Sequence, residues 1–306
     1  MKKNQIGKSD LFISELTLGC MSLGTDEKQA NRIIDAALDA GINHLDTADL
    51  YDFGENEKLL GQVVKQKRNS LIITSKVGNH FEKAKKDWFW DPSKTHIIAG
   101  LKDSLRRLGT DYIDLYLLHG GTMDDAYEET IEAFESLKQE GLIRAYGISS
   151  IRPNVIKRYV EHASIDAVMM QYSILDRRPE EEILDLLHDN QISVLARGPL
   201  AKGLLSSKAE QQLERKAADG YLAYELDQLK EMVHSLQQLC PEKMTMNELA
   251  LRYVLKHPSI ASAVFGASSE LQVMENISAA NIEQITNELY AKIQQISRPI
   301  RYEAHR

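Results

Sequence analysis

The chain has 306 residues and a mass of 34.6 kDa, with 37 Lys and Arg against 45 Asp and Glu and a formal net charge of −8. Its 43% hydrophobic and 27% charged residues are those of a folded globular protein and exclude a fibrous or disordered one. The acidic balance, with no stripe of clustered Lys and Arg, excludes an extended nucleic-acid surface, because phosphate-backbone affinity comes from cations that release counterions.

The chain begins MKKNQIGKSDLF, lysines with no apolar stretch behind them, and nowhere do about 18 apolar residues run together, so neither export nor membrane spanning is expected. Within this segment NQIGKSDLFIS predicts a small hairpin around Gly7 to Asp10. Eight short apolar runs come next: ELTLG (15 to 19), INHLD (42 to 46), LIITSK (71 to 76), YIDLYLLH (112 to 119), IRAYGIS (143 to 149), DAVMMQ (166 to 171), ISVLAR (192 to 197) and IASAVFG (260 to 266). Several are apolar throughout, as strands of a parallel sheet buried on both faces are. Amphipathic stretches of helical period separate them. Asp26 caps the first, which carries Ala30, Ile33, Ile34, Ala37 and Leu38 on one face and stops at Gly41. Later segments end at Gly141 and before Pro258, the second with a core-facing stripe of Met246, Leu249, Ala250, Tyr253 and Val254. A last helix is expected over NIEQITNELYAKIQQIS.

Eight strand-helix units without a linker or composition break predict one (β/α)8 barrel, a TIM barrel with an N-terminal β-hairpin, as a single domain over residues 1–306. The hairpin is placed to plug the N-terminal end of that barrel. Two connections are long, 77 to 93 and 198 to 226, and both follow strand C-termini, where such barrels build their sites. Cys20 and Cys240 are too few and too far apart for a disulfide framework or a zinc site, which fits a reducing cytoplasm.

Polar residues close the apolar runs. Asp46, Lys76 and His119 end the second, third and fourth, and Tyr51 follows five residues after Asp46. Each alone has an ordinary explanation as a helix cap, a solvated lysine, a hydrogen-bonded core histidine or a packed aromatic. Four such groups converging on one barrel face make a site. His44 reads as a core residue. Trp88, Phe89 and Trp90 sit together in the first long loop and read as a wall of an apolar pocket, with Cys20 and Met21 as further candidates to face it. Neither GxGxxG nor GxxxxGK[ST] occurs, so a doubly wound dinucleotide domain and a P-loop are both unsupported.

The string LDTADLYDFGENE resembles the first signature of the aldo-keto reductase family, LIITSK its lysine-bearing strand, and LRRLGTDYIDLYLLH the segment ending in its active-site histidine. EGLIRAYGISS, VMMQYS, LARGPLAKGLL and GASSELQVMEN continue the resemblance in family order across nearly the whole chain. It implies Tyr51 as proton donor, Lys76 and Asp46 as its charge partners, and His119 as the group orienting a substrate carbonyl. A phenol with a pKa of about 10 is a poor acid at neutral pH, and the adjacent ammonium is expected to lower that value.

The same resemblance implies a nicotinamide cofactor as hydride source, with Ser149 and Gln171 on its amide and Ser150 where many members have Asn. It assigns Arg197, Gly198, Pro199, Leu200, Lys202 and Gly203 to the pyrophosphate, with Arg197 stacking on the nicotinamide. Gly19 and Met21 follow the first strand into the cofactor site. The adenosine turn runs from Gly266 through Ser268, Ser269 and Gln272 to Asn276. NADP(H) is the preferred cofactor on this reading and NAD(H) a possible one, because Gly266 and Gln272 stand where NADPH-preferring members often place a lysine and an arginine. The implied protein is a cytoplasmic oxidoreductase, monomeric or weakly oligomeric, acting on a small-molecule carbonyl substrate with no nucleic-acid or membrane partner. The alternative is a cofactor-binding regulatory protein of the same fold, since potassium-channel β-subunits resemble this family too. A metal-dependent barrel hydrolase is set aside, because only Asp46 and His119 are well placed as strand-end ligands; no metal is expected.

Overall fold

The computed structural model describes residues 1–306. The chain opens on an antiparallel hairpin, β1 (Lys3–Gln5) and β2 (Phe12–Ser14), turning at Gly7 to Asp10, followed by β3 (Leu16–Gly19), α1 (Glu27–Asp39), β4 (His44–Asp46), α2 (Glu55–Val64) and β5 (Ile72–Val77). A second hairpin, β6 (Asn79–Glu82) and β7 (Asp87–Trp90), precedes α3 (Lys94–Leu108), β8 (Ile113–Leu118), α4 (Tyr127–Gln139), β9 (Ile143–Ser149), α5 (Pro153–His162), β10 (Ala167–Gln171), α6 (Ile183–Asp189) and β11 (Ser193–Arg197). The remainder holds α7 (Ala209–Lys216), α8 (Leu226–Leu239), α9 (Met246–Val254), β12 (Ile260–Gly266), α10 (Glu270–Ile277) and α11 (Asn287–Ile296).

Strands β3, β4, β5, β8, β9, β10, β11 and β12 close on themselves in that order, every pair parallel, and coincide with the eight apolar runs. This is the expected TIM barrel. The signals read from sequence act as expected in α1, where the Asp26 carboxylate accepts from Lys28 N–H at 2.9 Å, Ala30, Ile33, Ile34 and Ala37 are buried, and Gly41 turns away at φ 92°. Gly147 is required at the β9–β10 seam: a Cβ there would lie 1.9 Å from the Ala167 carbonyl oxygen.

Two layers form the core. Strand and helix side chains pack between barrel and outer ring, while Leu115, Leu117, Met169, Leu195 and Val264 fill the lumen. Ile6, Leu11 and Ile13 of the first hairpin join this inner cluster, so the hairpin is the bottom plug. Above it lies a polar layer: His44 Nδ1 is 2.8 Å from Thr17 Oγ1, His44 Nε2 is 2.7 Å from Thr74 Oγ1, and Thr17 Oγ1 is 2.6 Å from Ser262 Oγ. Burial, then the nearby Lys76 charge, pushes His44 down to about 3, so it is a neutral core residue.

Three expectations are corrected. The last helix begins at Asn287 rather than 281, because Asn281 ends a 3-10 turn (Ser278–Asn281) and Thr286 supplies the cap, its hydroxyl accepting from Leu289 N–H at 3.1 Å. The stripe on α9 is too narrow, since every residue from Met246 to Val254 is buried between barrel and neighbouring helices. Cys20 is fully buried and turns away from the cavity at the barrel mouth.

Candidate active site

Alternation along a strand puts every second side chain into the lumen. Counting outward from the core positions, the last inward residue of each strand falls at the barrel mouth: Gly19, Asp46, Lys76, His119, Ser149, Gln171, Arg197 and Gly266, one from each of the eight strands or the residue directly after it. All eight line one cavity of about 1240 Å³ at the C-terminal face. Its size exceeds the roughly 300–1,000 Å³ of a typical single-ligand pocket and suits two molecules side by side.

Lys76 is fully buried, and its ammonium meets three acceptors: Asp46 Oδ1 at 2.7 Å, the Thr47 carbonyl at 2.7 Å and the Tyr51 hydroxyl at 3.3 Å. Burial alone would depress the ammonium, but the Asp46 charge and the bonds to Asp46 and Tyr51 outweigh it and hold its pKa above the ordinary value. The expectation for Tyr51 is corrected. Desolvation is the larger effect on this phenol and holds it above its ordinary value, with Lys76 pulling in the opposite direction. Tyr51 is therefore protonated at neutral pH.

His119 stands with its ring edge-on to Tyr51, centroids 6.0 Å apart. Burial, with Lys76 and Arg197 adding repulsion, pushes it down to about 3, so the imidazole is neutral.

The turn after Tyr51 is strained and fixed. Asp52 and Phe53 take left-handed backbone at φ 49° and 52°, each costing on the order of 1–2 kcal/mol, and Gly54 follows at φ 87°. The GENE motif supplies the restraint. Gly54 packs where a Cβ would lie 2.8 Å from Arg107 Cδ, and Arg107 Nε donates to Glu57 Oε2 at 2.7 Å. Glu57 in turn accepts from Ser75, the neighbour of Lys76. Asn56 accepts from Thr47 Oγ1 at 2.7 Å and donates to the Cys20 carbonyl at 2.9 Å. The signature string is thus a bracket tying the Tyr51 turn to β5, to α3 and to the residues that directly follow β3 and β4.

On the opposite rim Arg197 Nη1 donates to Gln171 Oε1 at 3.1 Å, and Gln171 Nε2 to the Tyr221 hydroxyl at 3.3 Å. Gly198, Pro199, Leu200, Lys202 and Gly203 all line the cavity in a loop with positive φ at Gly198, Ala201, Lys202 and Gly203. Met21, an exposed side chain, and Ser149 line it as well. At the β12 end Gly266, Ser268, Gln272 and Asn276 face the cavity, but Ser269 does not. The Ser269 hydroxyl caps α10 by accepting from Gln272 N–H at 3.3 Å, and Gln272 Oε1 takes the Ser268 N–H at 2.8 Å, so these groups satisfy one another.

The long connections are structured. The first is the β6–β7 hairpin, which brings Trp88 and Trp90 to the cavity while Phe89 points out to stack on His80. Trp90 is pinned, its Nε1 donating to Asp125 at 2.9 Å, and its ring covers Gly78 and Gly120, at φ 126° and 150°. A Cβ would sit 2.7 Å and 2.9 Å from that ring at the two glycines. The second connection contains α7 and contributes Lys208, Lys216 and Tyr221 to the lining; like Asn79, these carry no motif that marks them in the sequence. Loop length is their only sequence signal.

A closed parallel barrel carrying Tyr, Lys, Asp and His at one mouth defines a barrel oxidoreductase site. Residues 15–298 match the aldo/keto reductase family, and the chain belongs to it. It is 50% identical over 307 aligned residues, 100% of each sequence, to the "Uncharacterized oxidoreductase YqkF" of Bacillus subtilis (strain 168). To the "NADH-specific methylglyoxal reductase" of Escherichia coli (strain K12) it is 31% identical, covering 92% of this chain and 94% of the relative. Among solved structures, the holo form of aldo-keto reductase AKR11C1 from Bacillus halodurans superposes with a TM-score of 0.93 at 53% identity, covering 100% of this chain and 99% of that one.

Proposed function

We propose that the chain is an NAD(P)H-dependent reductase of small aldehydes and ketones, with Tyr51 as proton donor. The observation that carries this reading is the buried Lys76 ammonium held between the Asp46 carboxylate and the Tyr51 hydroxyl in a cavity large enough for a dinucleotide and a second small molecule. The donor set fits the cofactor. Ser149 and Gln171 offer amide partners, Arg197 a planar cation, and the Gly198 to Gly203 loop with Lys202 a concavity for a diphosphate. When bound, the nicotinamide supplies hydride to the carbonyl carbon.

The remaining chemistry belongs to this chain. Neutral His119 can donate an N–H to the carbonyl oxygen and fix its position, without adding charge. Tyr51, protonated in the resting state, gives its proton to that oxygen as negative charge develops there. Lys76 stabilises the phenolate left behind, and Asp46 keeps Lys76 charged and aimed. Trp88 and Trp90 wall the substrate side, which favours apolar or aromatic carbonyl compounds.

NADP(H) is the preferred cofactor in this reading and NAD(H) a possible one. The cations Lys202, Lys208 and Lys216 on the rim favour the more highly charged dinucleotide, but Gln272 offers no charge at the adenosine end. We place the protein in the cytoplasm as a single domain, monomeric or weakly oligomeric. Its two cysteines are free, and no helix is long and apolar enough to cross a membrane.

A panel of aldehydes and ketones assayed with NADPH and NADH tests the proposal. Turnover is expected, higher with NADPH, and Tyr51→Phe should lower kcat by about 10²- to 10⁴-fold without unfolding the chain. A near-normal kcat in that variant would remove Tyr51 from its role, and a strong NADH preference would reverse the cofactor assignment. Tight cofactor binding without turnover on any carbonyl would favour the regulatory protein instead.

A further inference from the structure

The β6–β7 hairpin brings together three side chains that the carbonyl chemistry does not use. His80 lies on β6, Asp91 directly follows β7, and His96 sits in the first turn of α3. Their ligand atoms all lie within 4.8 Å of one another. Asp91 Oδ2 is 3.2 Å from His80 Nδ1 and 4.0 Å from His96 Nδ1. The carboxylate is oriented from behind, since its Oδ1 accepts from Ser93 N–H at 3.1 Å. Two imidazole nitrogens thus face one carboxylate oxygen whose other oxygen is anchored, with His80 half exposed and His96 largely enclosed.

We propose that His80, Asp91 and His96 bind one divalent transition-metal ion, with water completing its shell. Donors around an ion at metal–ligand distances of about 2.0–2.1 Å stand roughly 3.3 Å apart, so the trio is already near the required spacing. The two rings stack almost parallel, centroids 4.6 Å apart and planes at 10°, so each must turn about its outer torsion to aim its nitrogen at the ion. That torsion is a broad, soft one. Two imidazoles and one carboxylate select copper, nickel or zinc over magnesium and calcium, which prefer all-oxygen shells.

The site is peripheral and structural, away from the Tyr51 centre. It ties the hairpin to α3 on either side of the Asn79–Trp90 pair, both members of which line the cavity. An ion here therefore stiffens the wall that carries Trp88 and Trp90.

Those are the only two tryptophans in the chain, which supplies the readout. The full-length, tag-free protein is titrated with CuCl2, NiCl2, ZnCl2, MgCl2 and CaCl2, without substrate or cofactor, following tryptophan fluorescence and heat of binding. One ion per chain is expected, with copper tightest, nickel and zinc weaker, and no response to magnesium or calcium. His80→Ala and Asp91→Asn should each weaken binding by at least about tenfold, while His234→Ala on the exposed face of α8 leaves it unchanged. Because His80 is a half-exposed hairpin residue, its variant should fold, which far-ultraviolet circular dichroism checks. Absence of binding by the wild-type chain, wild-type affinity in both variants, or an equal response to magnesium overturns the site. No carbonyl turnover enters the measurement, so its outcome is independent of the proposed reductase activity.

Discussion

Replacing Lys76 with Met removes a charge that the fold has enclosed completely. The side chain is fully buried, its Asp46 partner is 4% exposed, and the substitution leaves the Asp46 carboxylate without its cation while the Thr47 carbonyl loses a donor. Removing one partner of a buried ion pair costs about 3–5 kcal/mol, because the remaining charge stays desolvated and unpaired. Asp46→Asn made in the same chain removes that stranded charge. The double variant should therefore be more stable than Lys76→Met alone, while reductase activity stays lost in both. Urea denaturation followed by circular dichroism measures the four midpoints, of wild type, Lys76→Met, Asp46→Asn and the double variant, at unchanged slope. The pH dependence provides a second check. The folded pKa of Lys76 is raised above 10.5, so the contribution of the Lys76 charge is fully present below that value and is lost as pH rises through the higher folded one. The gap between wild type and Lys76→Met should close in strong alkali and should also narrow as pH falls, because burial already holds Asp46 above its ordinary value and the stranded carboxylate takes up a proton. A loss under about 1 kcal/mol for Lys76→Met, or strict additivity in the double variant, would refute the view that this pair is a tightly coupled buried unit.

His119, held down to about 3, should contribute no inflection near its ordinary 6.5 to the pH profile of kcat/KM. An inflection there that vanishes in His119→Gln would show that the imidazole is charged in the working site. For stability the sign is fixed by the same shift: the contribution of neutral His119 is present above 6.5 and is lost as pH falls toward 3, measurable as acid destabilisation that His119→Gln reduces. Gly120→Ala should force a methyl against the Trp90 ring, where its Cβ would lie 2.9 Å away, at a strained φ of 150°, costing about 1–3 kcal/mol and raising KM for aromatic substrates with a change in tryptophan emission. Unchanged emission and KM would show that Trp90 does not depend on this glycine. Gln272→Arg should raise the NADPH to NADH ratio of kcat/KM by about tenfold, the value of one charge-assisted hydrogen bond, and an unchanged ratio would place the 2′-phosphate elsewhere.

Much of the architecture is legible in the residues themselves. Apolar runs alternating with capped amphipathic segments prescribe strand, helix and order and put Asp46, Lys76 and His119 at one mouth, and the resemblance to aldo-keto reductases adds Ser149, Gln171 and Arg197 to it. The hairpin around Gly7 to Asp10 is legible as a plug, while its seating through Ile6, Leu11 and Ile13 is seen only in the structure. What depends on three-dimensional surroundings is not legible. The sequence puts a lysine near Tyr51, but only burial decides that desolvation exceeds the lysine's pull, so the phenol shifts up rather than down. Ser269 reads as part of an open adenosine turn until α10 forms and its hydroxyl is taken up capping that helix. Cys20 follows the mouth residue Gly19 and so turns away from the cavity, into the apolar layer between the barrel and its helices. Lys208, Lys216 and Tyr221 face the cavity through a connection whose orientation no local pattern prescribes, and His80, Asp91 and His96 meet because a hairpin folds back onto the start of α3. Local sequence determines periodicity, caps and strain-tolerant turns, since these depend on near neighbours along the chain. Desolvation, charge coupling and the meeting of distant loops depend on neighbours in space, and the tertiary structure alone decides them.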